Sequence, residues 1–354
     1  LVKSIVRKVM FITLFLAGIV SLYLLFMTVT DYKPEEIEIL NIENNQQSVL
    51  TLEDTLSIIT YNIGYCGLDQ DQDFFMDGGT GSRSNSKDNT IENLTEITSF
   101  LVDQQPSFIL IQEMDIDATR SHQVNQYELL KENLIGYNAS YATNYKVPWV
   151  PIPITKPHGY VESGLATFSQ YDVSSAIRYQ YPGKEKWPRQ LALLDRCFLE
   201  SRIPIEDGKE LVVINSHLSA YDKGGVIRAQ QLTYLKECLT DEYQNGNYIV
   251  VGGDWNHLLP GVDQAVFENN LPWPDWLKDI PDDFTPEGFN WGADPRVPTN
   301  RTNEAPYVKG ENYVSIIDGF LVSPNIEIQE VEGISLEFQN SDHNPVKMTF
   351  RLDK

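Results

Sequence analysis

The chain has 354 residues, 42% hydrophobic and 22% charged, with a formal net charge of −23. No Pro/Gly-rich tract, low-complexity run or internal repeat interrupts it, which excludes a disordered, collagenous or solenoid protein. Lys3, Arg7 and Lys8 are the only charges before Asp31, so residues 31–354 carry 24 basic and 50 acidic side chains, a net of −26. Such a surface repels polyanions in general.

From Val9 to Thr30 the chain runs 22 residues without a charge. A helix rising ~1.5 Å per residue crosses ~30 Å of hydrocarbon in that length. The expectation is one transmembrane span; the alternatives are a cleaved signal peptide and a buried core helix. The apolar run is longer than a signal core, and no small-x-small site precedes the acidic segment. With the basic residues before the span and Asp31 after it, residues 1–8 are expected in the cytoplasm and the large domain outside the cell. Residues 31–55 are polar and acidic, suiting a stalk or a lead-in to the first strand. Residues 56–354 read as one domain.

Leu56–Asn62 is a short β-branched run ending at a polar residue. Gly67–Asp88 reads as loop; Asp69, Asp71, Asp73 and Asp77 have the look of a calcium loop, but the glycine at the sixth position and the closing Glu are missing, which leaves a loop of solvated acids. Ile91, Leu94, Ile97 and Leu101 recur at helical spacing before Pro106. Phe108–Glu113, Leu211–His217, Tyr248–Asp254 and Ser315–Val322 are further strand-like runs, and Ile227–Leu239 carries a second helical pattern. Pro345–Leu352 alternates as a closing strand. Long insertions separate Ile116 from Arg202 and Leu258 from Tyr313. Many short strands with two clear helices predict an α/β sandwich of two packed sheets. Cys66, Cys197 and Cys238 form no disulfide framework and have no zinc spacing.

The chemistry gathers where these runs end. Asn62, Glu113, His217, Asp254, Asn256, Asp318, Asp342 and His343 each close or adjoin a strand-like run, where sheet proteins build sites on a rigid scaffold. Four carboxylates, two amides and two imidazoles suit Mg²⁺, with Mn²⁺ as the other hard cation, and phosphoryl transfer. A catalytic imidazole generally needs a carboxylate on its other nitrogen; which Asp serves His343 is not fixed by order along the chain.

The ordered series YNI, QE, SH, GDWN, IDG and SDHNPV resembles the endonuclease/exonuclease/phosphatase superfamily, which includes pancreatic-type DNases, abasic-site endonucleases, bacterial neutral sphingomyelinases and inositol-polyphosphate 5-phosphatases. The resemblance covers residues 56–352. It implies a DNase-like two-sheet sandwich, with Glu113 as principal Mg²⁺ ligand, Asn62 supporting the metal site and Asp342 on the metal side. It further implies that Asp254 orients or deprotonates the attacking water and that Asn256 holds a phosphoryl oxygen. His217 would contact the phosphate or help the leaving group, and Asp318 would fix the tautomer of His343, which acts at the phosphate. Possible substrate contacts are His158, alternatively an exposed loop residue, together with Tyr221 and Lys223 on the loop leaving His217, and Arg228 at the head of the next helix.

One fold serves many reactions. The acidic surface and two aromatic segments, Tyr141–Trp149 and Trp273–Trp276, lean the expectation toward a Mg²⁺-dependent phosphodiester hydrolase acting on phospholipid or sphingomyelin-like head groups. A nuclease acting on DNA or RNA is the runner-up, and an inactive cell-surface binding module is the alternative of another class. No protein partner is expected.

Overall fold

Successive side chains of a strand point to opposite faces, and Leu56–Asn62 is apolar on both: Leu56 and Ile58 enter one apolar cluster, Ile59 and Tyr61 another. Such a strand is stable only inside a sheet covered on both sides. The computed structural model describes residues 2–44, 48–222, 224–267, 271 and 273–353. Its helices are α1 (Val2–Val29), α2 (Lys87–Gln104), α3 (Gln126–Asn133) and α4 (Val226–Gln244). The strands, in chain order, are β1 (Ile37–Ile39), β2 (Leu56–Asn62), β3 (Phe108–Ala118), β4 (Asn138–Val150), β5 (Gly159–Ser169), β6 (Ser175–Gln180), β7 (Cys197–Pro204), β8 (Glu210–His217), β9 (Tyr248–Asp254), β10 (Asn290–Gly292), β11 (Asn300–Arg301), β12 (Val314–Ser315), β13 (Asp318–Val322), β14 (Ile326–Gly333) and β15 (Val346–Leu352).

Two mixed sheets result, ordered β1-β6-β7-β8-β9-β13-β10 and β14-β15-β2-β3-β5-β4. Leu56, Ile58, Phe108 and Leu110 of one sheet share a buried cluster with Leu211, Val213, Val250 and Phe320 of the other, so this face of each sheet is the seam of a sandwich. Leu94, Ile97 and Leu101 of α2 and Leu130 of α3 cover the opposite face of the β2–β3 sheet. Leu232, Leu235 and Leu239 of α4 do the same for the β8–β9 sheet. Ser86 starts α2 by accepting a hydrogen bond from the Asn89 backbone N–H, and Gln105 ends it in the left-handed region before Pro106.

The parallel pairs matter most for the site. β2 pairs with β3 through the α2 crossover, and β8 with β9 through α4, so the parallel pairings of all four strands stop at one edge of the sandwich, past which only β3 runs on, to Ala118. Asn62, His217 and Asp254 close their strands there, whereas Glu113, expected to close its own, lies within β3 just past the last partner on β2. β13 runs antiparallel to β9 and starts at the same edge, with Asp318 directly opposite Asp254.

Several expectations need revision. Ser315–Val322 is not one strand: β12 ends at Ser315 and β13 begins at Asp318, so that carboxylate stands at a strand's start. Residues 31–55 are no free stalk, because β1 pairs with β6 and Leu50 is buried beside Ile205 in the sandwich core. The acids after Gly67 are not simply solvated either. Asp69 is buried and accepts from the Asn89 and Asn93 amides, while Asp73 accepts from the backbone N–H groups of Thr80 and Gly81. The insertion between Ile116 and Arg202 contributes β4 and β5 to one sheet and β6 and the start of β7 to the other. The three cysteines are free, two of them buried. α1 is long and apolar enough to cross a membrane, and residues 2–22 of it are exposed.

Candidate active site

Close backbone packing brings the carboxylates to the edge. Gly253 has φ +151, and a Cβ there would stand 1.9 Å from the Ser216 carbonyl oxygen, so β8 and β9 can pair beside Asp254 only with glycine. Glu113 follows the last parallel partner of β2, at an irregularity where β3 shifts its register against β5, and holds φ +57. A left-handed backbone at a non-glycine residue costs about 1–3 kcal/mol and is tolerated where the surroundings impose it. Gly64, at φ +48, lies so close to Asp342 that a Cβ would meet its Oδ1 at 2.7 Å.

At the centre stands a hydrogen-bonded array. His343 Nδ1 lies 2.8 Å from Asp318 Oδ2, and the Asn300 amide nitrogen lies 3.0 Å from the other ring nitrogen. Asp254 Oδ2 accepts from Asn62 Nδ2 at 3.1 Å and lies 3.3 Å from His217 Nε2 and 3.8 Å from His343 Nε2. Asp254 Oδ1 accepts from the Asn256 backbone N–H at 2.9 Å. All these side chains are buried.

Burial dictates which groups carry charge. Asp254 is pushed upward, first by burial and then by Asp318, which leaves a carboxylate able to take up a proton near neutrality. Burial works against a charged His343, but Asp318, Asp254 and Asp342 outweigh it and raise that imidazole to about 10. His217 goes the other way: burial, with the positive charges of Arg196 and His343, keeps it neutral. The Nδ1 of His217 and the Oδ1 of Asp318 are buried without hydrogen-bond partners.

These groups line one open pocket of about 1230 Å³. Glu113, His217, Asp254, Asn256, Asp342 and His343 all reach its wall, so residues far apart in sequence line one pocket. Asn62 and Asp318 stand behind the wall, on Asp254 and His343 respectively. Asp254, Asp318 and His343 offer ligand atoms within 4.8 Å of one another, close enough to hold a cation. The donor chemistry fits a hard divalent ion: buried carboxylates, one with an unpartnered oxygen, and no thiol in the set. The expected trio of Asn62, Glu113 and Asp342 is a different set. Asn62 spends its amide nitrogen on Asp254 and its oxygen on the Gly64 N–H. Glu113, by contrast, is raised by burial, relieved by Arg120 and raised again by Asp342, a like-charge pressure that a cation would remove.

The expected substrate contacts fare unequally. His158 is no exposed loop residue: it is buried in the wall between Tyr65, Phe74 and Phe75, bonds the Ser82 carbonyl at 2.7 Å, and is held down to about 3 by burial. Tyr221 lines the pocket and donates to Asp77 Oδ1 at 2.7 Å. Arg228 is not at the wall; it donates to the Asn256 and Trp276 carbonyls and so braces the loop after β9. Lys223 lies outside the described residues. Of the aromatic segments, Tyr145, Trp273 and Trp276 line the pocket, whereas Tyr141 is half-buried away from it.

Sequence reasoning missed three residues. Arg120 is buried against Asp115, 4.0 Å from Glu113, with its guanidinium 4.0 Å from the Tyr65 ring centre. Arg196 reaches the pocket with a buried, unpartnered NH1. Asn300 sits on the two-residue strand β11, too short for any periodic signal. Arg196 did carry one: it immediately precedes the apolar start of β7, the mirror image of a polar strand end. Arg301 is buried and donates to the Leu68, Asp69 and Gln72 carbonyls, tying down the acidic loop.

No family model and no curated protein matches the chain in sequence. Solved structures do match. An endonuclease/exonuclease/phosphatase from Beutenbergia cavernae superposes with a TM-score of 0.57 at 16% identity over 84% of this chain and 72% of that one. The human Nocturnin catalytic domain with bound sulfate gives 0.52 at 16% identity, covering 88% and 97%. TDP2 from D. rerio, complexed with a single-strand DNA product, gives 0.53 at 14% identity, covering 84% and 100%. At such identities the likeness is one of architecture: two mixed sheets with flanking helices give this chain the endonuclease/exonuclease/phosphatase fold.

Proposed function

We propose that the chain is a divalent-cation-dependent phosphoester hydrolase. The observation that carries the reading is the buried array at the strand ends: a raised carboxylate, Asp254, within 3.8 Å of an imidazole, His343, that a second carboxylate keeps charged. Asp254 takes the proton of the attacking water, while Asn62 on Oδ2 and the Asn256 N–H on Oδ1 hold its carboxyl group in place. His343, held through Nδ1 by Asp318, presents a positive N–H at Nε2 to a phosphoryl oxygen, and Arg196 adds a second positive charge to the same pocket. His217, neutral beside Asp254, contacts the phosphate or its leaving oxygen. A bound cation supplies counter-charge to the phosphoryl oxygens. Glu113 and Asp342 are the better candidates to hold it, because within the Asp254, Asp318 and His343 set the Asp318 to His343 bond is already made.

Two substrate classes enter. The fold neighbours favour nucleic acid over the lipid expected from sequence, since one of them was solved with a single-strand DNA product. The acidic surface and the partly apolar pocket wall, with Leu24, Ile152, Leu271 and Trp273, favour a lipid head group. The test is a hydrolysis screen of the full chain on single- and double-stranded DNA, RNA, phospholipid and sphingomyelin vesicles and inositol phosphates, with Mg²⁺ or Mn²⁺ and with EDTA. Metal-dependent release of a phosphoester product supports the reading; no turnover of any of them overturns it.

A further inference from the structure

α1 does not leave the domain as a free tether. Its last turns pack on the pocket rim: Met27 is 1% exposed among Ala118, Tyr145, Val147, Val150, Val161 and Leu191. Tyr23 donates from its hydroxyl to the Trp149 carbonyl at 2.9 Å, and the Trp187 indole N–H donates to Thr28 Oγ1 at 3.2 Å. Tyr23, Leu24 and Met27 line the same pocket as Asp254 and His343. The apolar helix is therefore one wall of the site.

Length then fixes the depth of that wall. Val9 to Leu22, the charge-free stretch before the contact, rises only ~21 Å, short of ~30 Å of hydrocarbon. Extending the span backwards would draw Lys8 and Arg7 into the apolar layer; extending it through Thr30 gives ~33 Å. A helix that crosses a membrane in this chain must therefore immerse Tyr23–Val29, and with it the ~10 Å of rim those residues touch. The rim's composition matches. Trp149 and Trp187 are 40% and 57% exposed, Ile152 and Ile154 51% and 87%, and aromatic residues of this kind settle at the level of lipid head groups. Lys156 and Lys186 are exposed on the segments that carry these residues, while Lys184 and Arg189 beside them pair with Asp195 and Glu185, which leaves a small unpaired basic fringe on a domain of net charge −26.

We propose that α1 is a built-in part of the folded enzyme that holds the mouth of the pocket in the head-group layer of the membrane it crosses, so that the phosphoester reaching Asp254 and His343 is the head group of a membrane lipid. The inference rests on phosphoester hydrolysis as proposed above and adds the direction of entry and the substrate class. An extended nucleic acid would have to approach across an acidic surface and past a rim occupied by bilayer.

The experiment uses the full chain in vesicles of phosphatidylcholine, phosphatidylglycerol and sphingomyelin, with Mg²⁺ or Mn²⁺. Three activities are read in parallel, on the vesicle lipids, on a single-stranded oligonucleotide and on soluble bis(4-nitrophenyl) phosphate, together with quenching of Trp fluorescence by a lipid spin-labelled near the head group. Ile154 and Lys156 do not line the pocket. The double variant Ile154→Asp, Lys156→Glu is therefore expected to leave the soluble ester's rate unchanged and to slow lipid turnover by roughly tenfold or more. Quenching is expected to weaken when Trp149 and Trp187 are replaced by Phe. Turnover of the soluble ester without lipid turnover, or quenching that ignores those replacements, overturns the inference and leaves the hydrolase reading standing; oligonucleotide cleavage in that case moves the substrate to nucleic acid. No turnover of any ester overturns both.

Discussion

Replacing Asp318 by Asn removes a charge from the His343 ring with little change of shape. The two side chains meet at 2.8 Å, Asp318 1% and His343 5% exposed, so water screens almost nothing. A positioned acid or base is worth ~10²–10⁴ in rate. Taking ~10³ for His343→Ala and the same for Asp318→Asn, independent groups would lose ~10⁶ in the double variant. Groups acting as one unit lose only ~10³ again, a coupling of about 4 kcal/mol in a double-mutant cycle. The fold feels the change too: breaking one partner of a buried pair costs ~3–5 kcal/mol, and Asn softens that because it still accepts from the ring N–H. The assay is kcat/KM on bis(4-nitrophenyl) phosphate at saturating cation, with unfolding curves to confirm that each variant is native. Multiplicative losses would show that Asp318 does not act through His343, leaving Asp254, 3.8 Å from that ring, to orient it.

Other expectations follow from single features. Gly253→Ala should destabilise the protein by about 3 kcal/mol or more in urea, because its Cβ would lie 1.9 Å from the Ser216 carbonyl oxygen. Glu113→Gln should raise the Mg²⁺ concentration for half-maximal rate by roughly 10–100-fold, while Asp318→Asn should change kcat more than the metal requirement. Glu200 tests electrostatics away from the site. Burial raises its carboxyl to about 7 against the opposing charge of Arg202, while Glu210 and Glu242 crowd the same guanidinium. The folded protein thus binds that proton more tightly than the unfolded chain. Its contribution is fully present below pH 4.5 and is lost as pH rises to about 7, a swing of at most ~3 kcal/mol. Glu200→Gln should flatten that stretch of the stability curve; an unchanged slope would contradict the assignment.

Much of the candidate site was legible because most of it lies where strands stop or start, Glu113 within β3 being the exception. β2 and β9 begin and end where the sequence put them, since a β-branched run ending in Asn or Asp has few other ways to fold. The sandwich itself followed from many short strands with two helical stretches. β4 escaped because its polar Asn138, Ser140 and Asn144 are buried, which breaks the apolar alternation a sequence displays. β1 escaped because three residues at a sheet edge leave no period, and α3 because eight residues make barely two turns. Arg120, Arg196 and Asn300 are lone polar residues whose meaning arises only when distant segments meet. The docked end of α1 belongs to the same class: its composition announces an apolar helix, and only the packing of Met27 and Tyr23 reveals what it touches.

The proposed reaction is phosphoester hydrolysis in this pocket with a divalent cation and with Asp254 as the proton acceptor. The direct measurement is the rate of bis(4-nitrophenyl) phosphate hydrolysis by the full chain after EDTA treatment and then on titration with Mg²⁺ or Mn²⁺, with Asp254→Asn alongside. Turnover should vanish without metal and recover on its return, and the Asp254→Asn rate should be at least ~10² lower at every metal concentration. Equal rates with and without metal, or a fully active Asp254→Asn protein, would contradict it.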